Sequence, residues 1–261
     1  MTKSEWRIVK ILLVLVFLAA LLPASAFAYR FLFQRDLTLE SLGQLGGGLF
    51  LAPAATSLPG ADDSATNTDA NNLKLSEFVV SDQGFAISIP GTWQRLPMNP
   101  RDLNTLLDGM RSENPEVANA LGANSQALIT SGIRFWAFDA DSTLLKQNLM
   151  TTLTVLKRSL PGPTSLDTYV QVNVSQLSSL KTRVGAISQE SLTLSNVPAV
   201  KLRYTLSFTR GDGSTTLSAQ TQYLLINNAD AYVIGFTSSP EQNEHYAPIF
   251  ERCANSFRIL Y

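Results

Sequence analysis

Histidine and cysteine are nearly missing from this chain, which has one of each, His245 and Cys253, in 261 residues. A lone cysteine excludes an intramolecular disulfide and any zinc finger built on several thiolates. Charge is sparse too, at 16%. Residues 74–261 hold 15 Lys+Arg and 15 Asp+Glu, so there is no basic surplus to neutralise phosphates, and nucleic-acid binding is set aside. His245 has Glu241 and Glu244 near it in sequence, but no G-x-S-x-G elbow supplies a nucleophile. It reads as an exposed helix residue, and Cys253, on an apolar stripe, as an inert core thiol. Asp139-Ala140-Asp141 lacks the further oxygen ligands of a calcium loop. Gly46-Gly47-Gly48 precedes no lysine, so it is no phosphate loop. Asn173-Val174-Ser175 is formally a glycosylation sequon, but it falls inside a predicted helix. A hydrolase therefore has no visible machinery, and no cofactor or metal is called for.

Long apolar runs are confined to one place. Lys3, Arg7 and Lys10 precede twelve uncharged apolar residues, Ile11–Leu22, then Pro23 and the small residues Ala24-Ser25-Ala26. Two readings stay open for residues 1–29. A basic start, a short apolar core and small residues up to Ala28 make a signal peptide, cleaved after Ala28. Alternatively Ile8–Tyr29, about 22 residues, crosses ~30 Å of hydrocarbon, with Trp6 and Tyr29 at the two interfaces. Either reading carries the rest of the chain out of the cytoplasm, as a single-pass membrane protein or as a secreted or periplasmic one. No cysteine lies near the segment's end, so a lipoprotein anchor is excluded.

Residues 30–73 form a spacer. Asp36 is a candidate N-cap before Leu37, Leu42 and Leu45, and the glycines at 46–48 would end such a helix. Pro53–Asn72 (PAATSLPGADDSATNTDANN) is small, polar and slightly acidic, the composition of a flexible, disordered linker.

From residue 74 onward the periodicity predicts one compact domain. Strands are expected over Leu75–Val80, Phe85–Ile89, Ile133–Phe138, Leu149–Leu156, Ala186–Leu194, Ala199–Phe208, Thr216–Ile226 and Tyr232–Phe236. Helices are expected over Arg101–Arg111, from Pro115 towards Ile129, over Ser165–Lys181 and over Pro240–Phe257. Ile133–Phe138 is apolar on both sides, as in a strand covered on both faces. The predicted fold class is α+β, an antiparallel β-sheet flanked by helices.

Gly211-Asp212-Gly213 marks a hairpin. A two-residue loop there places Leu202, Tyr204, Leu206 and Phe208 on one face with Leu217, Ala219, Thr221 and Tyr223. Lys201, Arg203, Gln220 and Gln222 then share the opposite, polar face. These four are the candidate binding residues, a hydrogen-bonding surface for a protein partner.

Two further stretches carry a resemblance. Phe85-Ala-Ile-Ser-Ile-Pro-Gly-Thr-Trp93 is similar to the "F-x-I-x-x-P-x-x-W" opening of the PsbP/Mog/DcrB-like α/β/α sandwiches. The ending resembles theirs as well: Tyr232-Val-Ile-Gly-Phe-Thr, then Ser239-Pro-Glu, a helix, and Ser256-Phe-Arg-Ile. The likeness spans residues 74–261. It implies an α/β/α sandwich in which Phe85, Pro90, Trp93, Ser256 and Phe257 are architectural, and it transfers no metal site. Members of that group are mostly non-catalytic: photosystem subunits, Ran-binding proteins, exported bacterial proteins and secretion adaptors. The implied function is a non-enzymatic binding or scaffolding module outside the cytoplasm, docking to a membrane-associated protein complex. The alternative is a carrier or chaperone for a lipid or hydrophobic peptide, its groove bordered by Leu106, Met110 and Leu121.

Overall fold

The structure is a computed structural model describing residues 73–113, 132–139, 151–160, 162–209 and 215–260. The hydrophobic leader, the spacer up to Asn72, the helix expected from Pro115 and the Asp141 position lie outside the described residues. Among the described residues no helix is long and apolar enough to cross a membrane.

Among the described residues, ten strands and three α-helices build an α+β fold whose sheets are antiparallel. The strands are β1 (Leu75–Val80), β2 (Phe85–Pro90), β3 (Trp93–Leu96), β4 (Ile133–Asp139), β5 (Thr152–Ser159), β6 (Arg183–Leu194), β7 (Val197–Thr209), β8 (Thr215–Asn227), β9 (Asp230–Ser238) and β10 (Arg258–Ile259). The helices are α1 (Pro100–Glu113), α2 (Leu166–Ser179) and α3 (Asn243–Ser256).

Where one sheet was expected, there are two. A three-stranded sheet runs β1-β2-β10, and a seven-stranded one runs β3-β4-β5-β9-β8-β7-β6. Gly84, in the left-handed region at φ 72°, closes the turn that lets β2 fold back on β1. The chain then leaves the small sheet after Gly91, and Trp93–Leu96 joins the edge of the large one beside β4.

Helix boundaries follow local chemistry. At α1, Asn99 Oδ1 accepts the Asp102 N–H at 2.8 Å and Pro100 occupies the first turn. Ser165 caps α2, accepting the Thr168 N–H at 3.1 Å. Within α2 the sequon residue Asn173 donates to the Tyr169 carbonyl at 2.7 Å and is half-buried, an ordinary helix residue. A 3₁₀ turn, Pro240–Gln242, leads into α3, whose Tyr246, Ile249, Phe250, Cys253 and Ala254 form the buried stripe.

The large sheet is covered on both faces. On one, α2 lays Val170 and Leu177 against Val200, Leu202, Tyr204, Leu206 and Leu224. On the other, α3 and the small sheet meet Leu153, Val155, Tyr223, Leu225, Ile234 and Phe236. The five residues singled out by resemblance do architectural work on that side. Phe85 and Phe257 lie 5.6 Å apart between ring centroids, Trp93 meets Tyr246 edge-on, and Ser256 Oγ accepts the Ser88 N–H at 2.8 Å. Pro90 is buried at the end of β2.

The expected hairpin register is corrected. Thr209 pairs with Thr215, leaving residues 210–214 between the strands, and Leu202 faces Gln222 while Lys201 faces Tyr223. The two-residue loop assumed that both strands bury apolar residues on one common face. With both faces covered, β7 sends Leu202, Tyr204 and Leu206 toward α2, whereas β8 sends Tyr223 and Leu225 toward α3.

Candidate interaction surface

That register divides the four candidate binding residues. Gln220 and Gln222 lie on the α2 face, Lys201 and Arg203 on the α3 face. They cannot form one surface.

On the α2 face, the amides belong to a polar strip. Thr237 Oγ1 donates to Gln220 Oε1 at 3.0 Å, and Gln220 Nε2 donates to Ser218 Oγ at 2.6 Å. Gln222 shares its cross-strand row with Gly235 and Thr154. Gly235 belongs there because a Cβ would sit 2.9 Å from Thr154 Oγ1.

On the α3 face, Lys201 is buried. Its Nζ meets Glu251 Oε1 at 2.6 Å, lies 3.9 Å from Glu190 and stands 5.7 Å from the Tyr223 ring centroid. Burial, reinforced by the negative charges of Glu251 and Glu190, pushes the Tyr223 hydroxyl well up. Lys201 is thus a strut between sheet and helix. Arg203 stays exposed and reaches Glu190 Oε2 only at 3.8 Å.

Beyond Arg203 the α3 face is only partly covered among the described residues. Val184 pairs with Thr205 and Thr205 with Ala219, making one cross-strand row. Leu217 stands opposite Ser207 in the next. Val184 is 44% and Leu217 41% exposed, two of three exposed large hydrophobics among the described residues. β6, at the sheet's end, has no strand on its outer side among the described residues. Its register is broken between Val184 and Ser188, where Gly185 takes φ 73°, and is then regular from Ser188 to Leu194. Sequence reasoning missed this ledge and edge. The available signal was weak: Val184 and Leu217 stand beside glycine and serine, at strand ends.

Elsewhere, polar groups fasten layers together. Lys157 Nζ lies 3.0 Å from Asp230 Oδ2 and donates to the Gln83 carbonyl at 2.9 Å, tying the large sheet to the small. Ser159 Oγ donates to Asp230 Oδ1 at 2.7 Å. Tyr246 donates to Asp139 Oδ2 at 2.7 Å. His245 is exposed, 5.1 Å edge-on from Tyr246. Burial holds the Cys253 thiol up at about 12, the protonated, unreactive form. Among the described residues no group of His, Cys, Asp and Glu side chains is arranged to hold a metal ion.

No protein-family model matches the sequence, and no curated protein matches it significantly. Solved structures similar to it include a cyanobacterial PsbP from Synechocystis, at 12% identity and TM-score 0.42, covering 80% of this chain and 99% of that one. LpqN of Mycobacterium tuberculosis, described as involved in cell envelope biogenesis, matches at 14% identity and TM-score 0.43, over 73% of this chain and 93% of its own. The Ran-binding protein Mog1p of Saccharomyces cerevisiae matches at 8% identity and TM-score 0.41, over 72% and 96%. These neighbours thus include PsbP and Mog proteins, the group resembled in sequence. Likenesses this distant transfer no partner, ligand or activity.

Proposed function

We propose that residues 74–261 are a non-enzymatic binding module, an α/β/α sandwich delivered outside the cytoplasm by residues 1–29 and spaced from the membrane by residues 30–73. Its partner is a membrane-associated protein complex, which presents an extended segment to the free edge of β6. The observation that carries this reading is the regular stretch Ser188–Leu194, which pairs with β7 on one side and has no strand on its outer side among the described residues. Such an edge offers unused backbone donors and acceptors to a partner strand. Side chains add selectivity. Glu190 is 56% exposed and engages Lys201 and Arg203 only at 3.9 and 3.8 Å, so it has acceptor capacity left for a basic residue of the partner. Of the four residues first considered, Arg203 alone lies beside this edge and exposed.

Lysines on an edge strand obstruct strand addition. The double substitution Ser188→Lys/Glu190→Lys should abolish a larger native assembly, observed by size-exclusion chromatography of gently solubilised membranes, with thermal unfolding of the protein unchanged. An assembly of undiminished size and abundance in that variant would sink the reading.

A further inference from the structure

Which backbone groups of β6 are free follows from its pairing with β7. Ser195-Asn196 is a two-residue hairpin loop, so the flanking Leu194 and Val197 hydrogen-bond to each other. Bonded pairs alternate along an antiparallel ladder. Leu192, Glu190 and Ser188 therefore spend their N–H and C=O groups on Ala199, Lys201 and Arg203. Odd-numbered β7 residues face β6 even beyond the break in register, where the Ser207 N–H reaches the Thr182 carbonyl at 2.7 Å. Gln189, Ser191 and Thr193 consequently turn their N–H and C=O groups away from the sheet, and all three residues are exposed.

One end of this edge is closed. The Arg183 guanidinium donates to the Gly185 carbonyl, and the Arg183 N–H reaches the Leu180 carbonyl at 3.3 Å. The irregular residues between Val184 and Ser188 interrupt any ladder there. What remains is Gln189–Thr193, about 13 Å of strand, and none of its outward residues is a lysine or proline that would guard it. Between them, Glu190 and Leu192 send their side chains to the α3 face. Leu192 is half-buried against the core. Lys201 and Arg203 stand 3.9 and 3.8 Å from Glu190, beyond hydrogen-bond distance, and Lys201 is already matched by Glu251 at 2.6 Å. The edge therefore offers an apolar side chain and, two residues earlier, an under-used carboxylate. A second copy adding antiparallel about Ser191 would set Glu190 against Leu192 twice, a mismatch that disfavours self-pairing.

We propose that the β6 edge selects an antiparallel partner strand of five residues, apolar at its second position and lysine or arginine at its fourth. The apolar residue stands beside Leu192 and the basic one beside Glu190. Every strand pair in both sheets is antiparallel, and parallel pairs are slightly less stable per residue. In this orientation the first, third and fifth partner residues bond to Thr193, Ser191 and Gln189, so none of them is proline. The second and fourth form the non-bonded pairs, in which side chains come closest and selectivity is greatest. This assignment names the partner of the edge and rests on the binding-module reading.

Fluorescence anisotropy of the labelled peptide Thr-Val-Thr-Arg-Thr against the full chain, one copy per lipid nanodisc, tests the motif. N-methylation of its third residue removes a donor to Ser191 and should weaken binding about tenfold. N-methylation of the fourth, whose N–H points away, should change it less than about twofold. Glutamate in place of the peptide's arginine should weaken binding about three- to tenfold, and Glu190→Gln should abolish that preference. Ser191→Pro removes an outward N–H without touching the β7 ladder, so peptide binding should be lost with an unchanged thermal unfolding midpoint. Four outcomes overturn the proposal: equal effects of the two N-methylations, a preference for glutamate, binding that survives Ser191→Pro, and a lowered midpoint in that variant. A dimer of the chain that Ser191→Pro dissolves would assign the edge to a second copy and overturn it too. A peptide that fails to bind while Ser191→Pro still dissolves the native assembly would remove the motif and keep the edge. Peptide binding without any larger native assembly would keep the motif and remove the membrane-associated complex.

Discussion

Two halves of the same sheet face carry opposite chemistry. Under α3, Phe236 stacks on Phe250 at 4.6 Å between centroids, Phe250 stacks on Tyr246 at 5.6 Å, and Tyr223 meets Phe236 edge-on. Two strands further out, β7 presents an exposed Arg203 and half-buried Thr205 and Ser207 to that same side. Lys201 stands at the boundary, buried and paired with Glu251. Register and strand direction are continuous across both halves. What differs is the cover, so the surface available to a partner is defined by where α3 stops.

The largest expected effect lies under that cover. Phe250 is 2% exposed and touches both Phe236 and Tyr246. Phe250→Ala removes the central ring and leaves a cavity between helix and sheet, a loss of about 3–5 kcal/mol. Urea unfolding midpoints would measure it. A cost as small as that of a surface substitution would mean that α3 is not what stabilises this half, and the contrast between the halves would collapse.

Element order was legible in the amino-acid sequence because most strands and helices are long enough to display their period. β1 and β2 fall where Leu75–Val80 and Phe85–Ile89 alternate, and α3 where Tyr246, Phe250, Cys253 and Phe257 recur. β3 and β10 span four and two residues, too short for alternation to be read. β5 lies three residues later than expected, ending in Lys157-Arg158-Ser159, a polar tail held in the sheet by its pairing with β9. The expectation that Lys201, Arg203, Gln220 and Gln222 share one face failed for a deeper reason. Parity arguments need one face to be wet, and here Leu202 and Tyr223, both buried, point to opposite sides. Nothing in the composition of β7 and β8 announces that. By contrast the β6–β7 turn is local: Ser195 and Asn196 both adopt positive φ, 48° and 65°, as a two-residue hairpin requires.

An intermediate effect belongs to the clip joining the two sheets. Burial would raise the Asp230 pKa, but hydrogen bonds from Ser159 and Lys157 and the charge of Lys157 outweigh it, and the carboxyl titrates below its ordinary value. Lys157 is likewise opposed by burial, yet its hydrogen bond to Asp230 and the charges of Tyr232 and Asp230 raise its pKa. A lowered carboxyl contributes stability above its unfolded pKa and loses it as pH falls through the folded value. A raised amine contributes below its unfolded pKa and loses that as pH rises through the folded one. The clip is therefore at full strength near neutrality and weakens at both extremes. Asp230→Asn should cost about 0.5–1.5 kcal/mol at pH 7. That gap from the wild type should narrow below roughly pH 3.9, the ordinary aspartate value. Unfolding midpoints at several pH values follow it, and a gap that stayed constant into acid would assign the cost to something other than the charge.

The smallest expected effect is also the cleanest comparison, because β8 carries a leucine at each end of the α3 face. Leu225 is fully buried against Ala199 and Tyr232, whereas Leu217, eight residues earlier and on the same side, is 41% exposed. Residue type, strand and face are shared, leaving cover as the variable. Leu225→Ala should cost about 2–5 kcal/mol, the range for a buried leucine that leaves a cavity. Leu217→Ala should change domain stability by no more than about 0.5 kcal/mol, since the removed atoms are already in contact with water. Parallel urea titrations of the two variants decide the matter. Equal costs would mean that the ledge is as firmly packed as the core, leaving no free surface there for a partner. A near-zero cost at Leu217 leaves this leucine without a role in holding the domain together and points to a role in contacts beyond it.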